Sequence, residues 1–452
     1  MPFVRLWLAA AFLIVLLLAA LAYGRIPGHR DSKVFATSPP TPYFHYTPTG
    51  ISKGKILVVH GLDASKSVTN IISSALADAG FEVFSIDLPG HGDSSVPFTA
   101  FSARDAVEQV LNVLGPETVA LGHSLGGALL LDIANDRPVP KLILFSPAPI
   151  PLEPVRADRI LVLEGQFDPG HMRAFASQIR AAAPNVEVRE MRWTGHSGGL
   201  LRPSVIDSVV KWLDGSTQNE MTERRLELLA VMLVSGLAAG VTLLGLLPAT
   251  NSQRASRDSV SISVVSYLIA VCLAAAFLSF VPLFSWLRLY ATDYFVGILF
   301  GTGLLLLLRF RVWVHTSFRN VLISVLSVLF LLGLIYVVGT ELADVTLSAT
   351  RWWRFPAITL LCFPLCLADQ AMVRPVLALV SRVMVGAIVV TAGLTLHRDA
   401  AFLLLLMPAV LGFWIVLWFL TGAVRRRTDA VSAALFAALI QAWVFSALFV
   451  ST

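Results

Sequence analysis

Three residues that could carry nucleophilic chemistry follow apolar runs of the sequence. Ser124 lies in LGHSLGG, Asp168 in EGQFD and His196 in WTGHSGG. A serine hydroxyl becomes a nucleophile when a histidine takes its proton and a carboxylate orients that histidine, an arrangement that transfers acyl groups. The chain order serine, aspartate, histidine is one in which this arrangement occurs. These three residues are therefore the candidate catalytic group.

The residues around Ser124 predict a sharp turn from a strand into a helix. Gly122 and Gly126 flank Ser124, which leaves room for a strained backbone and for close packing of the helix on a sheet. The amide of Leu125 would begin the helix and point at an oxyanion that forms nearby. The His60-Gly61-Leu62 turn can aim the Leu62 amide at the same oxygen. Each such donor is worth about 3 kcal/mol of transition-state stabilisation.

The elements that must position these residues alternate between strands and helices. Helical stretches are predicted at about 67-79, 103-114, 126-136, 172-183 and 199-213. The predicted strands are 55-60, 81-87, 117-123, 141-147, 159-165 and 186-192. Runs such as ILVV and LILF lack polar alternation, which is typical of parallel strands buried on both faces. The sequence therefore predicts an α/β fold with a doubly wound, mostly parallel sheet.

Five segments in this order resemble the α/β-hydrolase family. They are VVHGL (58-62), DLPGHGDSS (87-95), GHSLGG (122-127), EGQFD (164-168) and TGH (194-196). The resemblance covers about 55-213, less than half of the chain. It implies that Ser124 is the nucleophile, His196 the general base and then acid, and Asp168 the residue that orients the imidazole. A covalent acyl-enzyme intermediate would follow.

Rival residues remain at two of these positions. Glu164 or another nearby carboxylate could supply the acid in place of Asp168, and His171 could stand in for His196. His60 and His91 are expected to hold loops together.

Two departures from the family are expected. The APIPLEPVRAD segment is too short for a helical cap, so the site is predicted to be uncapped and open. The two leading antiparallel strands of larger relatives are expected to be reduced to one, around 42-48.

The composition requires contact with lipid. Hydrophobic residues make up 56% of the 452-residue chain, charged residues only 14%, and the mean hydropathy is +0.75. A helix needs about 20 apolar residues to cross the hydrocarbon core. Nine runs are predicted to do so, the least regular being 356-373 with its two prolines: 6-23, 226-248, 261-283, 290-308, 320-340, 356-373, 376-396, 400-422 and 430-450.

These runs divide the chain into five parts. Residues 1-24 are an anchor or a cleaved signal, and both imply export. Residues 25-50 are a linker with the possible edge strand, 51-215 the hydrolase domain, 216-225 a second linker, and 226-452 a membrane domain of about eight helices.

The arginines predict the orientation of the chain. If Arg425, Arg426 and Arg427 are cytoplasmic, alternation of eight spans places most other loop arginines on the same side. These are Arg254, Arg257, Arg309, Arg311, Arg319 and Arg374, with Arg288, Arg351, Arg354 and Arg398 opposite. The hydrolase domain is then extracytoplasmic.

The remaining features narrow the function. The loop arginines largely account for the net charge of +5, so no nucleic-acid partner is expected. The three cysteines, Cys272, Cys362 and Cys366, lie inside predicted spans, and neither a cofactor nor a metal site is indicated. The oligomeric state is left open.

Two functions from different classes fit the sequence. The first is a membrane-bound hydrolase of a carboxylic ester, lipid acyl ester or thioester, with the bilayer and an acylated substrate as partners. The second is a transporter or lipid-handling protein in which the hydrolase domain is accessory; its support is Asp293, Asp369 and Arg382 within or near spans. Loss of the cellular role in Ser124→Ala would favour the first.

Overall fold

The computed structural model describes residues 2–183, 185–216, 219–249, 260–310, 315–343, 345–370, 375–396 and 402–452. They divide into two compact units. The sheet unit comprises Leu18–Val231, Val337–Thr346 and Leu448–Thr452. The helical unit comprises the described parts of Met1–Leu17, Met232–Tyr336 and Leu347–Ala447.

The sheet unit contains an eight-stranded sheet with the order β1-β2-β4-β3-β5-β6-β7-β8. Its strands are β1 His29–Phe35, β2 Thr41–Thr47, β3 Lys55–Val59, β4 Glu82–Ile86, β5 Val119–His123, β6 Val139–Phe145, β7 Ala157–Gly165 and β8 Val186–Met191. β1 and β2 are antiparallel to their neighbours, and the pairs from β4 through β8 are parallel. The predicted fold class is confirmed.

The helices of the chain are numbered in sequence order. The first six are α1 Pro2–Tyr23, α2 Asn70–Asp78, α3 Ala100–Leu114, α4 Leu125–Asp136, α5 Gly170–Ala182 and α6 Pro203–Asp214. The others are α7 Asn219–Leu244, α8 Val260–Phe280, α9 Thr292–Phe310, α10 Phe318–Gly339, α11 Arg354–Gln370, α12 Pro375–Thr395, α13 Leu403–Arg425 and α14 Ala430–Leu448.

The apolar runs of the sequence form the centre of the sheet. Ile56, Leu57, Val58 and Val59 of β3 are fully buried, as expected for a parallel strand covered on both faces. Local signals fix the helix ends. At the start of α3, Thr99 and Ser102 form a reciprocal capping box. The carboxyl ends of β5, β7 and β8 lie at one edge of the sheet, so the segments after them can meet.

The structure differs from the predicted boundaries at three places. The prediction of a single leading strand is wrong, because β1 precedes β2 and pairs with it from His29 to Phe35. The expected linker 216-225 is largely helical, since α7 begins at Asn219. The predicted membrane domain 226-452 also supplies Val337–Thr346 and Leu448–Thr452 to the sheet unit.

Eight helices among the described residues are long and apolar enough to cross a membrane. They are Phe3–Tyr23, Glu220–Leu244, Ser263–Phe280, Thr292–Phe310, Phe318–Gly339, Leu377–Thr395, Leu403–Arg425 and Ala430–Leu448. The ninth predicted span, 356-373, corresponds to α11, which has 17 residues and contains Pro364. Of the arginines used to predict orientation, Arg254, Arg257, Arg311, Arg374 and Arg398 lie outside the described residues.

The helical unit buries charged and polar side chains together. Arg382 on α12 forms an ion pair of 2.7 Å with Asp369 at the end of α11. Tyr267 donates a hydrogen bond to Asp369, and Arg382 also donates to Gln441, which accepts a second bond from Trp414 at 3.0 Å. Asp369 and Arg382, two of the three ionisable residues singled out in the sequence, thus neutralise each other.

Candidate active site

Ser124 occupies the turn between β5 and α4 in a strained backbone conformation. Its φ is 51° and its ψ is −113°, which non-glycine residues rarely adopt. The glycines on both sides permit the turn: a Cβ on Gly122 would lie 2.5 Å from the Gly127 nitrogen, and one on Gly126 would lie 2.3 Å from the Val59 carbonyl oxygen. The helix therefore packs so closely on the sheet that only glycine fits at these two positions.

Asp168 and His196 come together from the segments that follow β7 and β8. Nδ1 of His196 lies 3.2 Å from Oδ1 of Asp168, and the carboxylate is almost fully buried. The other carboxylate oxygen accepts hydrogen bonds from Ser146 Oγ at 2.5 Å and from the Gly165 amide at 2.8 Å. Burial opposes charge on Asp168, but the bonds from His196, Ser146 and Gly165 outweigh it and hold the pKa below its usual value. Asp168 is thus an ionised acceptor for the imidazole.

The opposite side of the imidazole is available for chemistry. Nε2 of His196 is buried and has no hydrogen-bond partner among the described residues. With Nδ1 donating to Asp168, Nε2 is the nitrogen that can take a proton.

His123 supports the His196 loop from beside Ser124. Its Nε2 donates to the His196 carbonyl oxygen at 3.1 Å, and the two rings lie 5.0 Å apart between centroids. Burial lowers the pKa of His123 to about 3, helped by the neighbouring His196. His123 is therefore a neutral packing residue beside the turn.

The loop that carries Leu62 passes directly against Ser124. A Cβ on Gly61 would lie 3.1 Å from Cβ of Ser124 and 2.8 Å from Nδ1 of His123, so the glycine permits this approach. Leu125 is the first residue of α4, which places its amide at a helix amino terminus. Leu125 thus follows Ser124 in the chain, and Leu62 follows the glycine that approaches Ser124. The donor role of both amides stays a prediction.

A buried charge cluster holds the segments behind this loop. Lys66 forms ion pairs with Asp87 and, at 2.7 Å, with Asp93. Asp87 also accepts the Lys66 amide at 2.8 Å and the Asp93 amide at 2.9 Å. His60 Nε2 accepts the Leu88 amide at 3.1 Å, so this histidine joins the two loops as predicted.

Two supporting residues were missed in the sequence. Ser146 follows β6 in FSP, at the sheet edge that also carries Ser124 and Asp168. A search for every polar residue directly after a parallel strand would have found it. Lys66 lies in a loop with no pattern of its own, and no sequence signal marked its burial.

Neither rival residue, His171 nor Glu164, takes the place of a member of the Asp168–His196 pair. His171 is exposed on α5, whereas His196 contacts Asp168. Glu164 lies at the end of β7, four residues before Asp168. Oε1 of its half-buried side chain has no hydrogen-bond partner among the described residues. Desolvation and the nearby Asp168 charge raise the pKa of Glu164 to about 7.

An exposed aromatic pair stands on the two loops that carry Asp168 and His196. Phe167 is 62% exposed and Trp193 79% exposed, with ring centroids 6.1 Å apart. The loops brace each other: the Trp193 amide donates to Gln166 Oε1 at 2.8 Å, and the Phe167 amide donates to the Thr194 carbonyl at 3.1 Å. Trp193 has a φ of 54°, an unusual conformation for a bulky residue.

Comparison with known proteins agrees with the sheet and the turn. Residues 55–187 match the family model of the α/β hydrolase fold. This region has the fold of the α/β hydrolases. The match to the family model ends at residue 187, before His196. His196 lies on the segment that follows β8.

Two curated relatives illustrate the family. A pimeloyl-[acyl-carrier protein] methyl ester esterase of Nitrosospira multiformis is 34% identical over 102 residues, which cover 21% of this chain and 38% of the relative. Lipase LipV of Mycobacterium tuberculosis is 30% identical over 138 residues, covering 28% of this chain and 51% of the relative. The chain thus spans between about a third and a half of the length of these relatives. The solved carboxylesterase CesB of Bacillus subtilis shares 15% identity with a TM-score of 0.37, covering 46% of this chain and 99% of that one.

Proposed function

We propose that this protein is a membrane-bound serine hydrolase that cleaves a carboxylic ester or a thioester. The observation that carries the proposal is the pairing of His196 Nδ1 with buried Asp168, which leaves Nε2 without a hydrogen-bond partner among the described residues. The strained turn at Ser124 supports the proposal independently. The matched relatives include an esterase and a lipase by name, which favours ester bonds over other acyl linkages. The fold alone does not choose between ester and thioester.

The chemistry would proceed through an acyl-enzyme. Nε2 of His196 takes the proton of the Ser124 hydroxyl as Oγ attacks the carbonyl carbon, and the amides of Leu62 and Leu125 receive the developing oxyanion. The bond to the leaving alcohol or thiol then breaks, and His196 returns the proton to it. A water molecule, deprotonated by the same nitrogen, attacks the acyl-enzyme and releases the acid and free Ser124. Asp168 stabilises the imidazolium in both halves.

Labelling with a fluorophosphonate probe tests this proposal. Full-length protein in membranes should react with the probe, and Ser124→Ala should not. Ser208→Ala is the matched control, because this hydroxyl lies on α6 and donates to the Val205 carbonyl. An unlabelled wild type beside a reactive reference hydrolase would refute the proposal, and so would equal labelling of wild type and Ser124→Ala.

The substrate class we infer is an ester with a long or membrane-borne acyl group. Residues 146–156, between β6 and β7, form no helix or strand that could cover the site. Phe167 and Trp193 leave an apolar surface beside it, and aromatic rings of this kind suit acyl chains and membrane interfaces. The strained backbone of Trp193 costs about 1–3 kcal/mol of stability, and strain of this kind is concentrated at functional sites.

Chain-length selectivity tests this substrate class. Phe167→Ser and Trp193→Ser should lower kcat/KM for p-nitrophenyl palmitate in mixed micelles at least fivefold more than for p-nitrophenyl butyrate. Val113→Ser is the control, because this 61% exposed residue lies near the end of α3, away from both loops in sequence. Equal losses on the two esters would contradict the role of the aromatic pair.

We further propose that the hydrolase domain lies on the extracytoplasmic side. Val337–Thr346 and Leu448–Thr452 belong to the sheet unit, and Glu341 binds Arg30 at 2.9 Å and Asn70 at 2.7 Å. Four helices, α7 to α10, precede the first segment, and four more, α11 to α14, precede the second. Both segments share a side with the domain only if each set crosses the membrane an even number of times. This parity supports a spanning α11, at the lower end of the usual length of about 17–25 residues.

Reporter fusions test the orientation. A reporter after Gly215 and one after Thr452 should give the same, extracytoplasmic signal, whereas one after Arg427 should give the cytoplasmic signal. A cytoplasmic signal after Gly215 would overturn the proposed side, and opposite signals after Gly215 and Thr452 would overturn the parity argument.

A further inference from the structure

The last residues of the chain belong to the sheet unit, although they directly follow α14. We define residues Phe449–Thr452 as the C-terminal tail. Phe449 and Val450 are almost completely buried, and Ser451 forms a β-bridge. Buried side chains and hydrogen-bonded backbone indicate that this segment is docked on the sheet unit.

Ser451 docks on the turn that follows β4. Its amide donates to the Gly90 carbonyl at 2.9 Å, and its carbonyl accepts the Phe98 amide at 2.9 Å. Gly90 has a φ of +76°, and a Cβ there would lie 2.5 Å from the Ser451 carbonyl oxygen. The glycine therefore permits both the turn and the approach of the tail.

Val450 docks on the loop that carries Leu62. The Val450 amide donates to Oδ1 of Asp63 at 3.0 Å. Asp63 has a φ of 50°, in the left-handed region that few non-glycine residues other than asparagine and aspartate adopt. Two residues before it, Gly61 packs against Ser124. The tail thus contacts the loop at one end while the nucleophile contacts it at the other.

The loop and the turn on which the tail docks are connected to each other. His60 begins the Leu62 loop and accepts the Leu88 amide, while Gly90 lies two residues further along the turn. The rings of His60 and His91 lie 4.9 Å apart. The tail therefore contacts two segments that are themselves joined, the loop through Asp63 and the turn through Gly90.

We propose that the C-terminal tail is a positioning element of the active site, which holds the Leu62 loop so that its amide faces the oxyanion. The inference rests on the proposed hydrolase function. Ser124 and His196 would keep their places without the tail, but the oxyanion donor would not. Only Phe449 separates Val450 from the end of α14, so the last membrane helix is joined covalently to this restraint.

Proline and alanine variants of the tail separate the backbone contacts from the side chains. Val450→Pro and Ser451→Pro remove the N–H donors, and Val450→Ala and Ser451→Ala keep them. We expect kcat for p-nitrophenyl butyrate to fall about tenfold or more in the proline variants, a fraction of the loss of a whole oxyanion donor. KM should change less than twofold, and the rate of fluorophosphonate labelling should fall with kcat. Equal kcat in Val450→Pro and Val450→Ala, with full-length protein in membranes, would overturn the proposal.

A double-mutant cycle guards against a folding defect in the proline variants. Asp63→Gly removes the acceptor while keeping the positive φ accessible. If Val450 acts through Asp63, the combined variant should have the kcat of the more impaired single variant. Losses that multiply, with thermal midpoints falling in parallel, would refute a positioning role. A wild type without activity or labelling would refute the proposed function itself, whereas an active wild type with normal tail variants would refute only this inference.

Discussion

The hydroxyl of Ser146 donates a 2.5 Å hydrogen bond to Oδ2 of Asp168, the oxygen opposite the one that faces His196. The bond lies in the interior, where both residues are buried. Ser146 therefore helps to keep Asp168 ionised and in place, and it acts on the imidazole through that carboxylate. Its φ of 44° places the hydroxyl at this position directly after β6.

Ser146→Ala should weaken the catalytic pair without changing the backbone, because alanine and serine bear the same strain at positive φ. A hydrogen bond to a charged group contributes about 1.5–3 kcal/mol, so kcat/KM should fall about tenfold. The pKa of Asp168 should rise toward its usual value of about 3.9, so that a second protonation steepens the fall of kcat/KM at the acid end of the pH profile. The measurement is kcat/KM against pH, with Ser208→Ala as control. An unchanged acid limb would assign Ser146 a purely structural role.

The strands at the centre of the sheet could be predicted from the sequence, because strands buried on both faces consist mainly of apolar residues. Six parallel strands, β3 to β8, are apolar enough to be recognised, and each begins and ends within two residues of its prediction. β1 was missed because HRDSKVF is an edge strand, paired on one side only, and four of its residues from Asp31 to Val34 are exposed. The expected linker was missed because the charged start of α7 continues into an apolar helix.

The candidate site was predicted where local sequence determines geometry. The turn at Ser124 needs glycines at fixed spacing, and these are visible in the chain. The bond from Val450 to Asp63 joins residues 387 positions apart and uses a backbone donor, so no local pattern records it. The contact from Ser146 to Asp168 is also non-local, although the position of Ser146 after a strand offered a partial signal.

Gly126→Ala should disrupt the turn. The added methyl would lie 2.3 Å from the Val59 carbonyl, a backbone atom of the central sheet that cannot move aside. Overpacking of this kind costs about 1–3 kcal/mol, so the thermal midpoint should drop by several degrees and fluorophosphonate labelling should be lost. Gly170→Ala, where nothing lies within 4 Å, is the matched control and should behave as wild type. Full labelling of Gly126→Ala would show that the helix can move off the sheet.

Glu164→Gln should change stability in a pH-dependent way. The pKa of Glu164 is about 7 in the folded chain, against about 4.3 for an unperturbed glutamate. Between these values the folded state holds the proton more tightly, so the wild type loses stability as pH rises from about 4.3 through 7. Glutamine removes this loss. The thermal midpoint of Glu164→Gln should match wild type at about pH 4 and exceed it at pH 8, and a constant difference at both would contradict the raised pKa.

Lys66→Met should be strongly destabilising. The lysine side chain is 3% exposed and pairs with Asp87, which is fully buried, and with Asp93. Burial opposes its charge, but the two carboxylates outweigh this and raise the pKa of Lys66. Without the ammonium group, the Asp87 carboxylate is left buried without its counter-charge, at a cost of about 3–5 kcal/mol.

Two further variants separate the charge from the packing of Lys66. Lys33→Met removes a lysine whose partner, Asp31, is exposed, and it should cost less than about 1 kcal/mol. Adding Asp87→Asn to Lys66→Met should restore part of the lost thermal stability, because the uncompensated charge is gone. If the double variant is as unstable as Lys66→Met, the cluster stabilises the loops through its packing and amide contacts, and the ion pair contributes little.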